Sequence, residues 1–222
     1  MVFDDGAYVV AAKRLAIHVP RLAEKYYAIP KEIFMRSEFH RPGFIILVIL
    51  SSFVVGFSPF TGAVVSAVLG VLTVGVVYGI TRQLFTRRAA LIATALLATS
   101  TWHIFHSRVG FSNEAATFFF TAGLYCWLRF SADRTRSVAS PFAAGLLFGY
   151  AFTCHYGVLL YLTVGLLFEL WLAVQARAYR GTLILCASAL MPLVGFYLLA
   201  GYQPWGEILR LGQAQQSTPD PF

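Results

Sequence analysis

The chain has 222 residues, of which 58% are hydrophobic and only 12% are charged. Soluble domains carry about a quarter charged residues, so this composition excludes an ordinary water-soluble domain and indicates a protein whose main solvent is lipid. The net charge is +7, but the basic residues lie in short breaks between apolar runs. That distribution argues against a nucleic-acid partner and favours contact with membrane lipids.

The first 42 residues are amphipathic and mixed in charge. They contain seven Lys or Arg residues and three prolines, a pattern typical of short helices near the bilayer surface. We expect residues 1–42 to form an outer juxtamembrane segment. The next run, 43–57, is apolar but short, because a helix needs roughly twenty residues to cross the hydrocarbon. This run is expected to be re-entrant or interfacial.

Longer apolar runs follow, separated by short polar breaks. They predict six membrane-spanning helices, at about 60–81, 89–107, 115–130, 139–157, 158–175 and 181–202. Residues 43–202 are therefore expected to form an all-α transmembrane domain. Residues 203–222 are expected to form an outer C-terminal segment.

The arginines predict the orientation of these spans. The first, third and fifth breaks between spans hold eight arginines, whereas the alternate breaks and the tail hold two. Because short cytoplasmic loops are enriched in Lys and Arg, the arginine-rich breaks should be cytoplasmic. Glu114, His155 and both terminal segments then face outward. The basic residues of the N-terminal segment oppose this simple rule, although they can also bind lipid headgroups.

Two adjacent carboxylates, Asp4 and Asp5, are the first candidates for chemistry. Close carboxylates can titrate at different pH values, so that one stays an anionic base while the other orients a partner or bears a proton. Such a base could deprotonate an acceptor hydroxyl or amine that attacks a sugar carbon. The same pair is also typical of a solvated helix start, because Asp is favoured in a first turn.

Several short motifs follow one another along the first 131 residues. In chain order they are Phe3-Asp4-Asp5-Gly6-Ala7-Tyr8, His40-Arg41-Pro42-Gly43, Val55-Gly56-Phe57-Ser58, the break 81–90, and Ser107-Arg108-Val109-Gly110-Phe111-Ser112-Asn113-Glu114. Their order resembles the first outer loop and following spans of the GT-C membrane glycosyltransferases. More specifically, it is similar to the dolichyl-phosphate-mannose protein mannosyltransferase superfamily, which includes the aminoarabinose transferases (glycosyltransferase families 39 and 83). The resemblance covers most of residues 3–131 and extends more weakly to about 160.

The resemblance implies a GT-C-like helical bundle in a bacterial or archaeal plasma membrane. It implies transfer of a hexosyl or pentosyl group from a polyprenyl-phosphate donor to a protein, lipid or glycan acceptor at the outer face. In this reading Asp4 is the catalytic base and Asp5 is the second acidic residue. The positions assigned to substrate binding are Tyr8, Arg41, Arg108, Glu114 and His155.

Each of these assignments has a structural alternative. Arg41 would suit the donor phosphate, but it could equally anchor lipid headgroups. Arg108 and Glu114 could form a structural ion pair beside a span end, and relatives more often have Asp where Glu114 stands. His155 stands where many relatives have Lys, yet a lone His is often a structural residue.

No cofactor is assigned from the sequence. A divalent metal is compatible with an anionic leaving group, but no ligands for one can be named. His103 and His106 have the i, i+3 spacing of metal ligands on one helix face. Because no third ligand is in register, interfacial anchoring is the favoured interpretation of both.

Relatives normally have a helix before the acidic motif and more spans beyond the region where this sequence ends. The chain is therefore expected to be a truncated family member, and the activity is expected of the parent enzyme. The alternatives from other classes are a multi-span transporter and a non-catalytic lipid-handling subunit. A transporter would have charged residues or broken helices in the middle of its spans.

Overall fold

In a computed structural model, the chain is described over residues 41–56, 58, 60–132 and 138–200, with side chains as far as residue 196. Asp4, Asp5, Tyr8 and the C-terminal segment lie outside the described residues. The regular elements of these ranges are eight helices. They are α1 Pro42–Val55, α2 Thr61–Leu84, α3 Arg87–Thr99, α4 Thr101–Arg108, α5 Ser112–Ala132, α6 Ala139–Cys154, α7 Val158–Ala176 and α8 Tyr179–Ala200. The predicted all-α class is confirmed.

Local chemistry explains where α1 and α3 begin and where α1 ends. Pro42 occupies the first turn of α1, where its missing N–H costs nothing. Gly56 ends α1 with φ 74°, a left-handed conformation that favours glycine. Thr86 caps α3, because its side chain accepts a hydrogen bond from the backbone N–H of Ala89 at 3.3 Å.

The range predicted as one span at about 89–107 is divided into α3 and α4. The two helices meet at Ser100, whose backbone is extended, and their axes differ in direction by 57°. Thr99 donates its hydroxyl to the carbonyl oxygen of Ala95 at 2.8 Å. Hydroxyl side chains that compete for helix carbonyls in this way bend helices. The bend brings α4 against α2.

The helices α6 and α8 pack closely through two glycines. Gly145 and Gly149 lie one turn apart on α6 and face α8. A Cβ atom on Gly145 would collide with Oγ of Ser188 and the carbonyl oxygen of Leu185, and one on Gly149 with the carbonyl oxygen of Ala189. Small residues at this spacing let two helix backbones approach in a membrane, where hydrophobic attraction between helices is absent.

One end of the bundle holds the apolar core and both ends of α1. We call it the candidate-site end; α2 and α5 begin there and α4 and α6 end there. The first residue of α2, Thr61, donates its hydroxyl to the carbonyl oxygen of Gly56 at 2.9 Å, so α1 also ends there. The buried apolar residues of the core are Phe44, Ile45, Val48, Val65, Leu69, Ala115, Ala116, Ala151, Cys154 and Val158.

Three described helices are long and apolar enough to cross a membrane: α2, α7 and the Tyr179–Phe196 part of α8. The bent pair α3 and α4 would provide a fourth span. The helices α1 and α6 are apolar but have 14 and 16 residues. Many large apolar side chains of α7 are exposed, which suits contact with lipid. These features are those of an integral membrane protein.

Candidate active site

Arg41 joins the entry of α1 to the start of α5. Its Nη1 donates a hydrogen bond to Oγ of Ser112 at 3.0 Å, across 71 residues of sequence. The backbone of Arg41 is held as well, because its carbonyl oxygen accepts from the N–H groups of Phe44 and Ile45. The guanidinium is therefore positioned at the candidate-site end, beside the N-terminus of α5.

The end of α6 packs against the same segment. The hydroxyl of Tyr150 donates to the carbonyl oxygen of Gly43 at 2.9 Å. His155 follows α6 and is half-buried, and its Nδ1 accepts from the backbone N–H of Gly157 at 2.9 Å. Burial, followed by the charge of Arg41, lowers the pKa of His155. The imidazole is thus neutral near pH 7, with its proton on Nε2.

Glu114 lies in the first turn of α5 with its side chain turned inward, and it is only 3% exposed. Its Oε1 is 3.7 Å from Nδ1 of His103. Among the described residues, this oxygen has no hydrogen-bond partner. Nε2 of His103 lies 3.3 Å from the carbonyl oxygen of Gly70 on α2. The carboxylate is therefore held between α2, α4 and α5.

Arg108 ends α4 at the same end of the bundle, and its side chain is exposed. Just beyond it, Gly110 packs on the first turn of α2, since a Cβ on Gly110 would lie 2.9 Å from the carbonyl carbon of Gly62. Within the described ranges, Arg108 forms no ion pair with Glu114, which faces His103 instead. The side chain of Arg108 is therefore accessible from outside the bundle.

The structure brings four predicted site residues to the candidate-site end. They are Arg41, Arg108, Glu114 and His155. Two further residues, Ser112 and His103, were not assigned to the site from the sequence. His103 was interpreted as an interfacial anchor, but its side chain is only 11% exposed. The sequence signal that could have indicated Ser112 was its position, two residues before the carboxylate of Glu114.

No group of three metal-ligating side chains occurs in the described part of the chain. His103 and His106 therefore have no third metal ligand beside them among the described residues. His106 instead packs its ring against Trp102 and Phe105, at centroid distances of 4.6 and 5.4 Å.

A second buried carboxylate lies toward the opposite end of the bundle. Glu169 of α7 is 1% exposed. Its Oε2 accepts from Nε1 of Trp127 at 2.8 Å, and its Oε1 accepts from Oγ1 of Thr182 at 2.7 Å. These contacts attach α7 to α5 and α8.

Comparison with known proteins adds one match. The family model described as dolichyl-phosphate-mannose-protein mannosyltransferase matches residues 40–200. This range contains Arg41, Arg108, Glu114 and His155, whereas the Asp4 and Asp5 pair precedes it. No curated protein and no solved structure matches the chain.

Proposed function

Because the chain belongs to the dolichyl-phosphate-mannose-protein mannosyltransferase family, we propose that it transfers a sugar from a polyprenyl-phosphate donor to a protein, lipid or glycan acceptor. Family membership makes it a membrane glycosyltransferase with a lipid-linked sugar donor and an acceptor in general. The polyprenyl phosphate, the residue roles and the outward-facing site are the proposal.

The bond between Arg41 and Ser112 is the observation that carries the donor assignment. A guanidinium presents five N–H donors in a planar fork that matches phosphate oxygens, and a fixed one loses less entropy on binding. Ser112 also begins α5, where backbone N–H groups and the helix dipole favour an anion. The neutral His155 beside Arg41 offers a further donor through Nε2. These groups suit the phosphate of a lipid-linked sugar.

The proposed chemistry is a displacement at the sugar carbon bonded to phosphate. Asp4 takes the proton of the acceptor hydroxyl or amine, and the acceptor atom forms a bond to that carbon. The bond from the carbon to the phosphate oxygen breaks, and polyprenyl phosphate leaves with the electron pair. Arg41 and Arg108 stabilise the departing phosphate, as preorganised cations do for developing charge.

The remaining predicted residues have supporting roles in this proposal. Asp5 and Glu114 shape the polar pocket, and Tyr8 contacts the substrate. Orientation is supported by charge: Arg87 and Arg88 begin α3 at the end opposite the candidate site. The positive-inside rule assigns that opposite end to the cytoplasm, so the candidate site faces outward. The proposed location is a bacterial or archaeal plasma membrane.

The transporter alternative predicted broken helices and buried charges, and the described residues contain both. The bend at Ser100 divides a span, and Glu169 is buried between helices. Family membership assigns the chain to the glycosyltransferases, so we interpret the bend and Glu169 as parts of that fold.

Asp4→Asn is the first test, made in membranes that carry the full protein. Transfer of radiolabelled sugar from polyprenyl-phosphate donors is expected to fall by about 10²–10⁴-fold, the usual contribution of a general base. Membrane insertion, measured in parallel, should be unchanged. Equal transfer by parent and D4N would remove Asp4 from catalysis, and no transfer by the parent from any donor would contradict the proposed function.

Arg41→Gln tests the donor site, with Arg87→Gln as its matched control. Arg87 is an exposed arginine at the opposite end of the bundle. Loss of a charge-assisted contact worth about 1.5–3 kcal/mol should raise the KM for the donor by about 10–100-fold in R41Q. The control should keep the parent KM. Equal KM values in R41Q and R87Q would refute the role of Arg41.

A further inference from the structure

The pair formed by His103 and Glu114 is not explained by the assignments above. We propose that His103 is a positioning residue that holds the Glu114 carboxylate in the polar pocket, and that the two side chains share one proton in the active enzyme. This inference rests on the proposed function, because Glu114 is assigned to the pocket there.

The hydrogen-bonding chemistry of the imidazole determines where its protons lie. Nε2 of His103 faces the carbonyl oxygen of Gly70 at 3.3 Å, and a carbonyl can only accept, so Nε2 carries a hydrogen. Nδ1 faces Oε1 of Glu114 at 3.7 Å. A bare Nδ1 would turn its lone pair toward a carboxylate, which is repulsive. A further proton held between Nδ1 and the carboxylate converts this contact into an attraction.

Burial makes that proton necessary. The side chain of Glu114 is 4% exposed, and its Oε1 has no hydrogen-bond partner among the described residues. An unpaired ionised carboxylate is costly away from water, whereas a paired or protonated one is tolerated. His103 is the residue that can supply the proton.

Gly70 of α2 lets α4 and the Glu114 carboxylate lie close to the backbone of α2. A Cβ atom on Gly70 would lie 2.6 Å from Cβ of Ser107 and 3.3 Å from Oε1 of Glu114. Any larger residue at position 70 would therefore push α4 and the carboxylate away from α2. The bend at Ser100 turns α4 so that His103 reaches the carbonyl oxygen of Gly70. Three separate segments thus converge on one carboxylate.

The electrostatic surroundings of the pair are simple in the described part of the chain. The helices packed against α4 are α2, α3 and α5. On α2 the group that faces His103 is the carbonyl oxygen of Gly70, and on α5 it is the carboxylate of Glu114. The arginines of α3, Arg87 and Arg88, lie at the end of that helix far from His103. On α4, His106 packs against aromatic rings and Arg108 is exposed. Among described groups, the charge that acts on Glu114 is that of His103.

The pair is connected to the donor site through the first turn of α5. Glu114 is two residues beyond Ser112, whose hydroxyl accepts from Arg41. Without the shared proton, the lone pair of Nδ1 faces the carboxylate, and their repulsion displaces the carboxylate. A displacement of about 1 Å can lower a rate by about 10²-fold. Sugar transfer should therefore fall at alkaline pH, where the pair no longer holds the shared proton.

The first experiment does not depend on catalysis. Thermal unfolding of the full protein in detergent is measured for the parent, H103F, E114Q and the double variant. We expect the double variant to unfold about 2–4 °C above the temperature that additive effects would give, because either single change already breaks the pair. The control cycle combines H106N with E114Q and should be additive. Additive effects in the His103 cycle would overturn the pair.

The second experiment separates positioning from mere packing. The kcat for sugar transfer is measured against pH for the parent, H103N and H103F. The amide N–H of H103N can replace Nδ1–H without titrating, so this variant should keep kcat within about tenfold and lose the alkaline fall. H103F should lose about 10²-fold at every pH. H103N with the parent's alkaline fall, or H103F with the parent's kcat, would overturn the proposal.

The two experiments also distinguish this inference from the proposed function. A parent that transfers no sugar contradicts the proposed function, and the unfolding cycle still decides whether His103 and Glu114 are coupled. A parent that transfers sugar with a pH profile unchanged in H103N contradicts the inference alone.

Discussion

Replacing Gly149 by alanine should weaken the packing of α6 on α8. Gly149 lies where the two helix backbones are in contact, so an added methyl group has no space. Its Cβ would collide with the carbonyl oxygen of Ala189, and it would lie 2.9 Å from the carbonyl carbon of Ala189 and 3.1 Å from Cδ of Pro192. Two of these atoms belong to the backbone and one to a rigid ring. The helices must therefore move apart.

The size of the effect follows from those distances. Ordinary contacts of a Cβ atom begin at 3.4 Å, so the separation at the Ala189 carbonyl carbon must grow by about half an ångström, and by more at the oxygen. A gap of about 0.5–1 Å loses a quarter to a half of each dispersion contact along the interface. Overpacking typically costs about 1–3 kcal/mol, and the better helix propensity of alanine returns about 1 kcal/mol. Because the displaced atoms belong to the backbone and to a rigid ring, the overpacking cost should lie in the upper part of that range, at about 2–3 kcal/mol, which leaves a net loss of about 1–2 kcal/mol.

The assay is thermal unfolding of the full protein in detergent, followed by circular dichroism. A loss of about 1–2 kcal/mol should lower Tm by about 2–8 °C. Gly165→Ala is the matched control, because Gly165 is also helical but a Cβ there would meet nothing within 4 Å. The control should leave Tm unchanged or raise it. A G149A protein that unfolds at or above the parent temperature would refute the packing argument.

Two further predictions concern the buried carboxylate and the histidine at the end of α6. Glu169→Leu should lower stability by about 1–3 kcal/mol, because the Nε1–H of Trp127 and the buried hydroxyl of Thr182 would both lose their acceptor; an unchanged Tm would contradict this account. His155, whose pKa is lowered by burial and then by Arg41, favours the folded state when neutral. Its contribution is complete above its ordinary pKa of 6.5 and is lost as the pH falls through the lower folded value. The Tm of the parent should therefore fall more between pH 7 and pH 5 than that of H155N, and equal falls would exclude this linkage.

The sequence was sufficient for the features that depend on local chemistry. Helix hydrogen bonds join residues four apart, so apolar runs of the right length predict helices, and α2 spans Thr61–Leu84 where the prediction was about 60–81. The order of short motifs was enough to indicate the family, since it depends on residue identity alone. The roles of Asp4, Asp5 and Tyr8 stay predictions, because these residues lie outside the described ranges.

Tertiary structure decided which polar residues meet. His103 and His106 lie on the same short helix, α4, but the bend at Ser100 turns His103 toward a carbonyl group 33 residues earlier in the chain. Glu114 consequently faces His103, although Arg108 is nearer to it in sequence. In a membrane both lipid and protein interior are apolar, so hydropathy does not distinguish a side chain that faces lipid from one that faces another helix. Only the packing of α2, α4 and α5 around Gly70 makes that distinction.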